Sequence, residues 1–411
     1  MGKSNYIKSC WLLAITIVFI LTIPTKVHAA TTFNDIKDHW SEPYIYKAIN
    51  QGFIKGYPDG SFKPDKQVSR AEFISMINRA FGNSSTSKIS FSDVHSSEWY
   101  YMDISKAVRA AYVAGYKNGS FKPNNPINRQ EACFMISRII PTSGSYGQLK
   151  TYLDSNLISK WAYLAMSKIN GKGYIQGYKD GKIHPLDNLT RAQAAKIISD
   201  IIDHEKIVST NQFVQKDGTV LTGTIYSNNV TVSKDLYNGS AIIDNCVVLG
   251  SLYIQGGGTD TITINNSRIA RAIADKLESS IKLVAKGETS IVDTIGSKDF
   301  ILQTSNLSGG DFGHGFQKII ISTSANAILR GNFPYVSIEG SNANLNLESG
   351  IISELYVSSN AKKSNITIGN GTTIKNAKVY TESYFHGNGT ISNIEIYAKN
   401  IIFNNKQYAI L

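Results

Sequence analysis

The sequence predicts an α+β protein of several domains, in which a mostly helical half precedes an all-β half. Its 411 residues, 42% of them hydrophobic, suffice for roughly two to four domains. One pattern recurs three times before residue 204, and internal repeats of this length indicate a repeat architecture. After residue 203 short alternating apolar runs between Asn, Gly and Ser replace the helical periodicity, which indicates strands.

The chain begins with the pattern of an export signal. Lys3 and Lys8 supply positive charge before an apolar run at 11–23. Residues 27–29 then form a small-residue cleavage site. The run is shorter than the roughly 20 residues that a membrane-spanning helix needs, so a membrane anchor is the less favoured interpretation. We therefore predict a signal peptide at residues 1–29 and a secreted protein with no membrane span after cleavage.

Charge and cysteine content restrict the partners. Most of the net charge of +11 belongs to the first half, because the chain after residue 206 holds 16 basic and 15 acidic residues. A basic half indicates an acidic partner, and we expect no nucleic acid in that role.

Cys10 lies in the predicted signal, and Cys133 and Cys246 are far apart without ligand-like neighbours. We predict buried free thiols, with no disulfide, metal or cofactor.

Three segments, at 31–82, 90–141 and 150–203, are predicted to be copies of one unit. Each contains a tryptophan, a Gly-Tyr pair sixteen positions later, and an arginine fourteen positions after the glycine. These residues are Trp40, Gly56, Tyr57 and Arg70; Trp99, Gly115, Tyr116 and Arg129; Trp161, Gly177, Tyr178 and Arg191. Identical spacing in three windows is hard to obtain by chance.

Each unit is predicted to contain two helices joined by a turn. Helical periodicity follows the tryptophans, at 43–51, 102–113 and 162–170. Turns with Asp-Gly or Asn-Gly pairs follow at 56–64, 115–123 and 177–185. The second helices begin with capping-box patterns at 69–72, 128–131 and 190–193.

The arginines occupy the first position of these second helices. A cation is disfavoured there by about 0.3 to 1 kcal/mol, because the helix dipole is positive at this end. A bound anion would reverse that preference, with guanidinium and free helix-end amides facing one carboxylate. The alternative is a solvated arginine, or one paired with an acid such as Asp65. Tyrosine and tryptophan rings are possible faces for a sugar, although for the three tryptophans we favour a place in the core.

At these residues the chain resembles the S-layer homology (SLH) domain family. The family's Phe-x-Asp-Val start corresponds to Phe33-Asn-Asp35, Phe91-Ser-Asp93-Val94 and Tyr152-Leu-Asp154, and its turn and Thr-Arg-Ala-Glu motifs correspond to the segments above. The resemblance covers residues 33 to about 202. It implies a pseudo-threefold cluster of helical units whose grooves bind pyruvylated secondary cell wall polysaccharide attached to peptidoglycan, at the surface of a bacterium of Gram-positive type.

The resemblance also implies a set of carbohydrate-binding residues. The arginines would contact the pyruvate carboxylate, and the aspartates and Gly-Tyr turns would line the grooves. The set is Arg70, Arg129, Arg191, Asp35, Asp93, Asp154, Gly56, Tyr57, Gly115, Tyr116, Gly177 and Tyr178. Departures from the motif include Asn118, Asn128 and Gln130 in the second copy and Tyr152 and Gln193 in the third, and they leave the ranking of the grooves open.

Residues 204–411 are predicted to form the all-β domain. Strand patterns occur at 220–226, 230–232, 241–243, 247–254, 261–264, 318–322, 335–338 and 391–397. They favour a right-handed parallel β-helix with coils of roughly 20 residues, and a sandwich or barrel is the alternative. The segment 270–280 is predicted to be a helical insert.

Three functions remain open. The leading one is a wall-anchored, non-catalytic surface protein that displays its β domain. The second is an anchored polysaccharide hydrolase or lyase, for which the only acidic candidates close in sequence are Asp293, Asp299 and Asp311, together with His314. They have no recognisable catalytic spacing, so we predict no catalytic residue. The third is a subunit of an S-layer lattice.

Overall fold

The computed structural model describes residues 33–141, 146–258, 262–277, 279–308, 314–322, 324–403 and 406–408. The predicted signal peptide lies outside this range. Six α-helices occupy the first part of the described chain. They are α1 (Glu42–Asn50), α2 (Arg70–Phe81), α3 (Tyr101–Arg109), α4 (Arg129–Ser137), α5 (Lys160–Gly171) and α6 (Arg191–His204). None of the helices in the described range is both long and apolar enough to cross a membrane.

The second helix of each repeat begins where the sequence predicts. Arg70, Arg129 and Arg191 are the first residues of α2, α4 and α6. Both hydrogen bonds of the capping box are present at all three helices. The predicted starts are therefore confirmed, because two reciprocal bonds at each end satisfy amides that the helix itself leaves free.

The three repeats close into a ring with pseudo-threefold symmetry. At its centre the Val68 amide donates to the Leu189 carbonyl (2.9 Å), the Leu189 amide to the Ile127 carbonyl (2.9 Å), and the Ile127 amide to the Val68 carbonyl (3.1 Å). Helix α3 packs on α2, α5 on α4, and α1 on α6, so the first repeat also contacts the third. Each repeat thus depends on both of the others for its packing.

Twenty-one strands are described after the ring. They are β1 (Lys206–Val208), β2 (Gln212–Val214), β3 (Thr219–Thr222), β4 (Thr224–Tyr226), β5 (Val230–Val232), β6 (Ala241–Asp244), β7 (Val247–Ile254), β8 (Ile262–Asn265), β9 (Arg268–Ala274), β10 (Ile281–Gly287), β11 (Ser290–Gly296), β12 (Phe300–Leu307), β13 (Gly315–Ile321), β14 (Asn326–Ile338), β15 (Asn344–Val357), β16 (Ser364–Ile368), β17 (Thr373–Val379), β18 (Ser383–Gly387), β19 (Thr390–Ile396), β20 (Ile401–Phe403) and β21 (Lys406–Tyr408).

These strands form a parallel β-solenoid of about nine turns. The paired strands are parallel except for β20 with β21, and parallel partners lie 17 to 27 residues apart in the chain. Inward positions hold Ile, Leu, Val and Phe, which stack from coil to coil in one core. The predicted β-helical architecture is therefore confirmed in place of a sandwich or barrel. The predicted strand at 220–226 is two strands, divided at Gly223, where φ is +57°.

One face of the solenoid carries a ladder of side-chain amides. Asn326 donates to Asp299 (2.8 Å), Asn344 to Asn326 (2.7 Å) and Asn365 to Asn344 (2.9 Å). Each amide lies one coil above the last, because the strands are parallel and in register. The ladder therefore fixes the register on a face that the apolar core does not contact.

The predicted helical insert at 270–280 is wrong for the residues described there. Strand β9 spans Arg268–Ala274, paired in parallel with β7 and β11. Ala270, Ala272 and Ala274 are buried at alternate positions, which is the period of a strand and not of a helix. Alanine has the highest intrinsic helix propensity, but propensity is a weak determinant of structure, and strand pairing on both sides of β9 overrides it.

The ring and the solenoid contact each other through buried polar groups. Arg109 donates to the Ser251 hydroxyl (2.5 Å), and Arg268 donates to the Ala111 carbonyl (2.6 Å). Burial, together with the nearby charge of Arg138, lowers the pKa of Arg268 to about 9. Cys133 and Cys246 are free and buried, as predicted. Burial raises the pKa of Cys133 to about 12 and that of Cys246 to about 11, so both thiols stay protonated.

Candidate functional site

Each predicted arginine reaches from its own repeat into the turn of the next one. The Nε atoms of Arg70, Arg129 and Arg191 donate to the carbonyls of Phe121 (3.2 Å), Ile183 (2.9 Å) and Phe62 (3.0 Å). The three residues are only 4 to 5% exposed. The arginines are therefore not solvated, and they mark the three junctions of the ring.

The Gly-Tyr turns supply the other wall of each junction. The guanidinium carbon lies 5.1 Å from the ring centroid of Tyr116 for Arg70, 4.8 Å from that of Tyr178 for Arg129, and 4.6 Å from that of Tyr57 for Arg191. The structure thus brings together an arginine and a tyrosine from neighbouring repeats. These stacked pairs are favourable because the ring face is electron-rich.

The glycines of these pairs allow close packing. A Cβ on Gly56 would lie 2.0 Å from the Phe33 ring, one on Gly115 2.3 Å from Phe91, and one on Gly177 2.2 Å from Tyr152. The aromatic residue that opens each repeat therefore lies directly on its turn. The glycines therefore act by positioning the adjacent tyrosines, and they have no side chain with which to contact a ligand.

The aspartates brace the same turns from behind. Asp35 accepts from the amides of Phe62 and Lys63, Asp93 from Phe121 and Lys122, and Asp154 from Ile183 and His184. Burial acts to raise the pKa of Asp93, but the amides of Phe121 and Lys122 outweigh it, and the pKa is lowered. Each braced peptide unit carries the carbonyl that accepts an arginine Nε. The aspartates therefore act through the turn.

The expectation of free helix-end amides at the arginines is wrong. In α2 the amides of Arg70 and Ala71 donate to the carbonyls of Asn125 and Pro123, both at 2.9 Å. The corresponding amides of α4 and α6 donate to the turns of the third and first repeats in the same way. Ring closure uses these donors, because the carbonyls that accept from them belong to the neighbouring repeat. Of the two kinds of donor expected at the helix end, the guanidinium Nη groups and not the backbone amides line the junction.

The expectation that the tryptophans belong to the core is also wrong. Trp40, Trp99 and Trp161 are 53%, 58% and 48% exposed. Trp40 and Trp99 come just before α1 and α3, and Trp161 lies in the first turn of α5. Each of these helices packs on the preceding repeat of the ring. Trp161 packs edge-on against Phe134, with centroids 5.1 Å apart. An exposed indole next to a buried cation provides the flat apolar surface on which sugar rings stack.

One junction forms a distinct pocket of about 380 Å³. Its lining comes from all three repeats and includes Trp40, Arg129, Gln176, Tyr178, Gln193 and Lys196. Arg129 donates from Nη1 to the Tyr178 hydroxyl (3.1 Å) and from Nη2 to the Gln176 carbonyl (2.8 Å). We call this pocket the Arg129 groove. The sequence offered Trp40 as a possible face for a sugar but favoured a place in the core, and it did not indicate Gln193 as part of a site. The two residues become neighbours only when the ring closes.

The other two junctions have the same parts. The Arg70 groove contains Arg70, Tyr116 and Glu131. The Arg191 groove contains Arg191, Tyr57 and Glu72. In every groove the arginine, the tyrosine and the third residue of a second helix come from two neighbouring repeats.

The acidic candidates of the solenoid do not converge. Asp293 pairs with Arg271 (3.1 Å), and Asp299 ends the asparagine ladder. His314 is half-buried, and Asp311 lies outside the described residues. Among the residues that the structure describes, no group of His, Cys, Asp and Glu is arranged to hold a metal ion.

The fold defines a class of modular repeat protein, in which a closed ring of three helix-pair repeats carries grooves at its junctions and precedes a β-solenoid. Residues 32–74, 90–133 and 151–195 match the family model of the S-layer homology domain. The chain therefore carries three SLH repeats followed by a β-solenoid, as the sequence predicted.

Several curated proteins share this region. The chain is 34% identical over 180 residues to an amylopullulanase of Thermoanaerobacterium thermosulfurigenes (42% of this chain, 10% of the relative). It is 29% identical over 195 residues to a cellulosome-anchoring protein of Acetivibrio thermocellus (46% and 41%). It is 27% identical over 240 residues to a surface-layer 125 kDa protein of Lysinibacillus sphaericus (57% and 20%). The chain spans less than half the length of each relative. These similarities support a location at the cell surface.

Proposed function

We propose that this protein anchors itself non-covalently to the bacterial cell wall by binding a polysaccharide that carries carboxylates. The expected polymer is the pyruvylated secondary cell wall polysaccharide attached to peptidoglycan in walls of Gram-positive type. The observation that carries the proposal is the Arg129 groove, where guanidinium Nη groups and an exposed tryptophan line one pocket. The solenoid is then displayed at the surface as a structural or interaction module.

The chemistry of the groove suits a pyruvate ketal. Its carboxylate is planar and matches the fork of a guanidinium. The arginine is already buried and held by carbonyls of the next repeat, so little ordering opposes binding. A sugar ring that carries the ketal would lie against the Trp40 indole, which stands 53% exposed at the mouth of the pocket.

The test is co-sedimentation of the full chain with cell-wall sacculi. We expect binding to intact sacculi and none after chemical removal of the secondary polymer. Free oligosaccharide with its pyruvate ketal should compete, whereas its methyl ester should not, because esterification removes the charge and keeps the shape. Binding that survives polymer removal, or equal competition by the ester, would contradict the proposal.

Protein variants add an independent arm to this test. Replacing Arg70, Arg129 and Arg191 together by lysine keeps three charges but loses the paired donors, and it should lower affinity by about tenfold or more. Tryptophan fluorescence checks the fold, since Trp40, Trp99 and Trp161 all lie in the ring. Unchanged wall binding by a folded triple variant would remove the arginines from the site.

A further inference from the structure

The Arg129 groove differs from the other two grooves at the third residue of the second helix. This residue is Glu72 in α2, Glu131 in α4 and Gln193 in α6. In each helix one side-chain oxygen accepts from the backbone amide of the capping residue, at 2.8 Å for Ser69, 3.2 Å for Asn128 and 3.1 Å for Thr190. The capping bond therefore fixes which atom of the side chain faces the groove.

In the Arg129 groove the atom that faces inward is a donor. Because Gln193 Oε1 accepts from Thr190, its Nε2 points to the Tyr178 hydroxyl and donates to it at 3.0 Å. Arg129 Nη1 donates to the same oxygen at 3.1 Å. Two donors fill the lone pairs of the hydroxyl, so its own proton points elsewhere. Within the described residues no acceptor takes that proton.

In the Arg70 groove the direction is reversed. The carboxylate of Glu131 has only acceptors, so the Tyr116 hydroxyl donates to its Oε1 at 3.1 Å. Arg70 Nη1 lies 3.4 Å from the same oxygen. Glu131 thus uses both the tyrosine proton and the arginine charge, and it places a negative charge where an anionic ligand would bind. Phe134 occupies the position that Lys196 holds in the Arg129 groove, and Trp161 packs against it.

The Arg191 groove is intermediate. Glu72 is again a carboxylate, but Lys66 Nζ lies 3.5 Å from its Oε1 and donates to the Tyr57 hydroxyl at 2.9 Å. Lys66 offsets the negative charge of Glu72, and the hydroxyl proton of Tyr57 is not donated to Glu72. This groove keeps part of the attraction for an anion.

We infer that the third residue of each second helix sets the direction of the tyrosine hydroxyl proton, and thereby decides which groove binds a carboxylate. The Arg129 groove binds it most tightly, with Arg129 and Tyr178 both donating, and the Arg70 groove is closed by its own Glu131. Gln193 is a positioning residue in this scheme. The inference rests on the proposed function and assigns it to one groove.

Titration calorimetry of the full chain tests this, with a pyruvylated N-acetylmannosamine glycoside as the probe. We expect Gln193→Glu to weaken the tightest binding by about tenfold or more, the usual effect of losing a hydrogen bond to a charged group. Glu131→Gln should add one binding site to the stoichiometry. Both exchanges keep the capping box, since the chain itself uses Glu and Gln at this position. Glu348→Gln, the same exchange in β15 of the solenoid, is the matched control and should change neither the affinity nor the number of sites.

The outcomes separate the two proposals. Wild-type binding that Gln193→Glu leaves unchanged, or no new site in Glu131→Gln, would overturn the inference and leave wall anchoring intact. No binding of the probe by the wild-type chain would overturn the proposed function and the inference with it. Changed affinity together with a changed tryptophan-fluorescence unfolding midpoint in Gln193→Glu would indicate a merely structural role, and would also count against the inference.

Discussion

The ring and the solenoid are both built from repeats, but they join them in opposite ways. In the ring each arginine crosses to the next repeat, and the third returns to the first through Arg191 and the Phe62 carbonyl. In the solenoid each strand pairs with strands one coil before and one coil after it. A closed ring has no end at which unfolding begins, whereas a solenoid behaves as a line of nearest neighbours.

This difference explains where the candidate site lies. Every groove takes side chains from neighbouring repeats, and the Arg129 groove takes them from all three. Loss of one repeat would therefore remove more than one groove. A solenoid coil has no comparable position, because its contacts extend to its neighbours and no further. We expect binding to depend on the whole ring and to be insensitive to damage in distant coils.

The largest expected effect is local to the solenoid. Phe333 is fully buried in β14 and lies against Phe316, with ring centroids 6.2 Å apart. Phe333→Ala should lower the free energy of unfolding of the surrounding coils by about 4 kcal/mol, through lost burial and the cavity left behind. Hydrogen exchange by mass spectrometry should show faster exchange in β12 to β16, with an unchanged tryptophan transition from the ring. Phe333→Leu, with about 1 kcal/mol expected, is the control.

If Phe333→Ala lowered the unfolding free energy of the ring as much as that of the solenoid, the two halves would not differ as described above. It would mean that the contacts of Arg109 and Arg268 across the boundary couple the two halves into one cooperative unit.

The next effect tests whether the ring unfolds as one unit. A Cβ at Gly115 would lie 2.3 Å from the Phe91 ring, so Gly115→Ala should lower the ring's unfolding free energy by about 3 kcal/mol through overpacking. Gly119 lies in the same turn with φ +80° and open space around it, and Gly119→Ala should lower it by only about 1 kcal/mol through backbone strain. Urea titration followed by tryptophan fluorescence measures both.

Cooperativity is then judged from the shape of the transition in Gly115→Ala. One shifted transition is expected, although only the second repeat is altered, because the ring is closed. Two transitions, one of them at the wild-type midpoint, would show that the repeats unfold separately.

The sequence predicted the features that depend on short stretches of chain. Capping boxes such as Ser69 with Glu72 are local, since both partners lie within one helical turn. Strand patterns in the solenoid were visible because inward residues alternate with outward ones. The arginines could be located at helix starts for the same reason.

The features that sequence reasoning missed all come from contacts between distant segments. The amides of Arg70 and Ala71 were expected to be free, but carbonyls of the next repeat occupy them. Trp40 was expected in the core, but it lies at a groove formed by the other two repeats. The alanines of β9 are typical of a helix, but pairing with β7 and β11 on both edges makes this segment a strand. Spacing within one repeat contains no information about these neighbours.

The smallest expected effect concerns acid and again separates the two halves. The folded-state pKa of Asp93 lies below its ordinary value of 3.8, so its stabilisation of the ring is present above about pH 4 and is lost as the pH falls through the lowered pKa. Asp93→Asn removes this dependence and should lower the ring's unfolding free energy at neutral pH by about 1 kcal/mol, since an amide oxygen replaces a charged acceptor of two amides.

The measurement is the tryptophan-fluorescence midpoint in urea between pH 7 and pH 2, for wild type and Asp93→Asn. The two curves should converge as the pH falls, because protonation and substitution remove the same charge. Curves that stay parallel to pH 2 would mean that Asp93 does not brace the turn through its charge. The exchange rates of β14 and β15 serve as the internal control, and the substitution should leave them unchanged at each pH, because these strands have no bond to the turn that Asp93 holds.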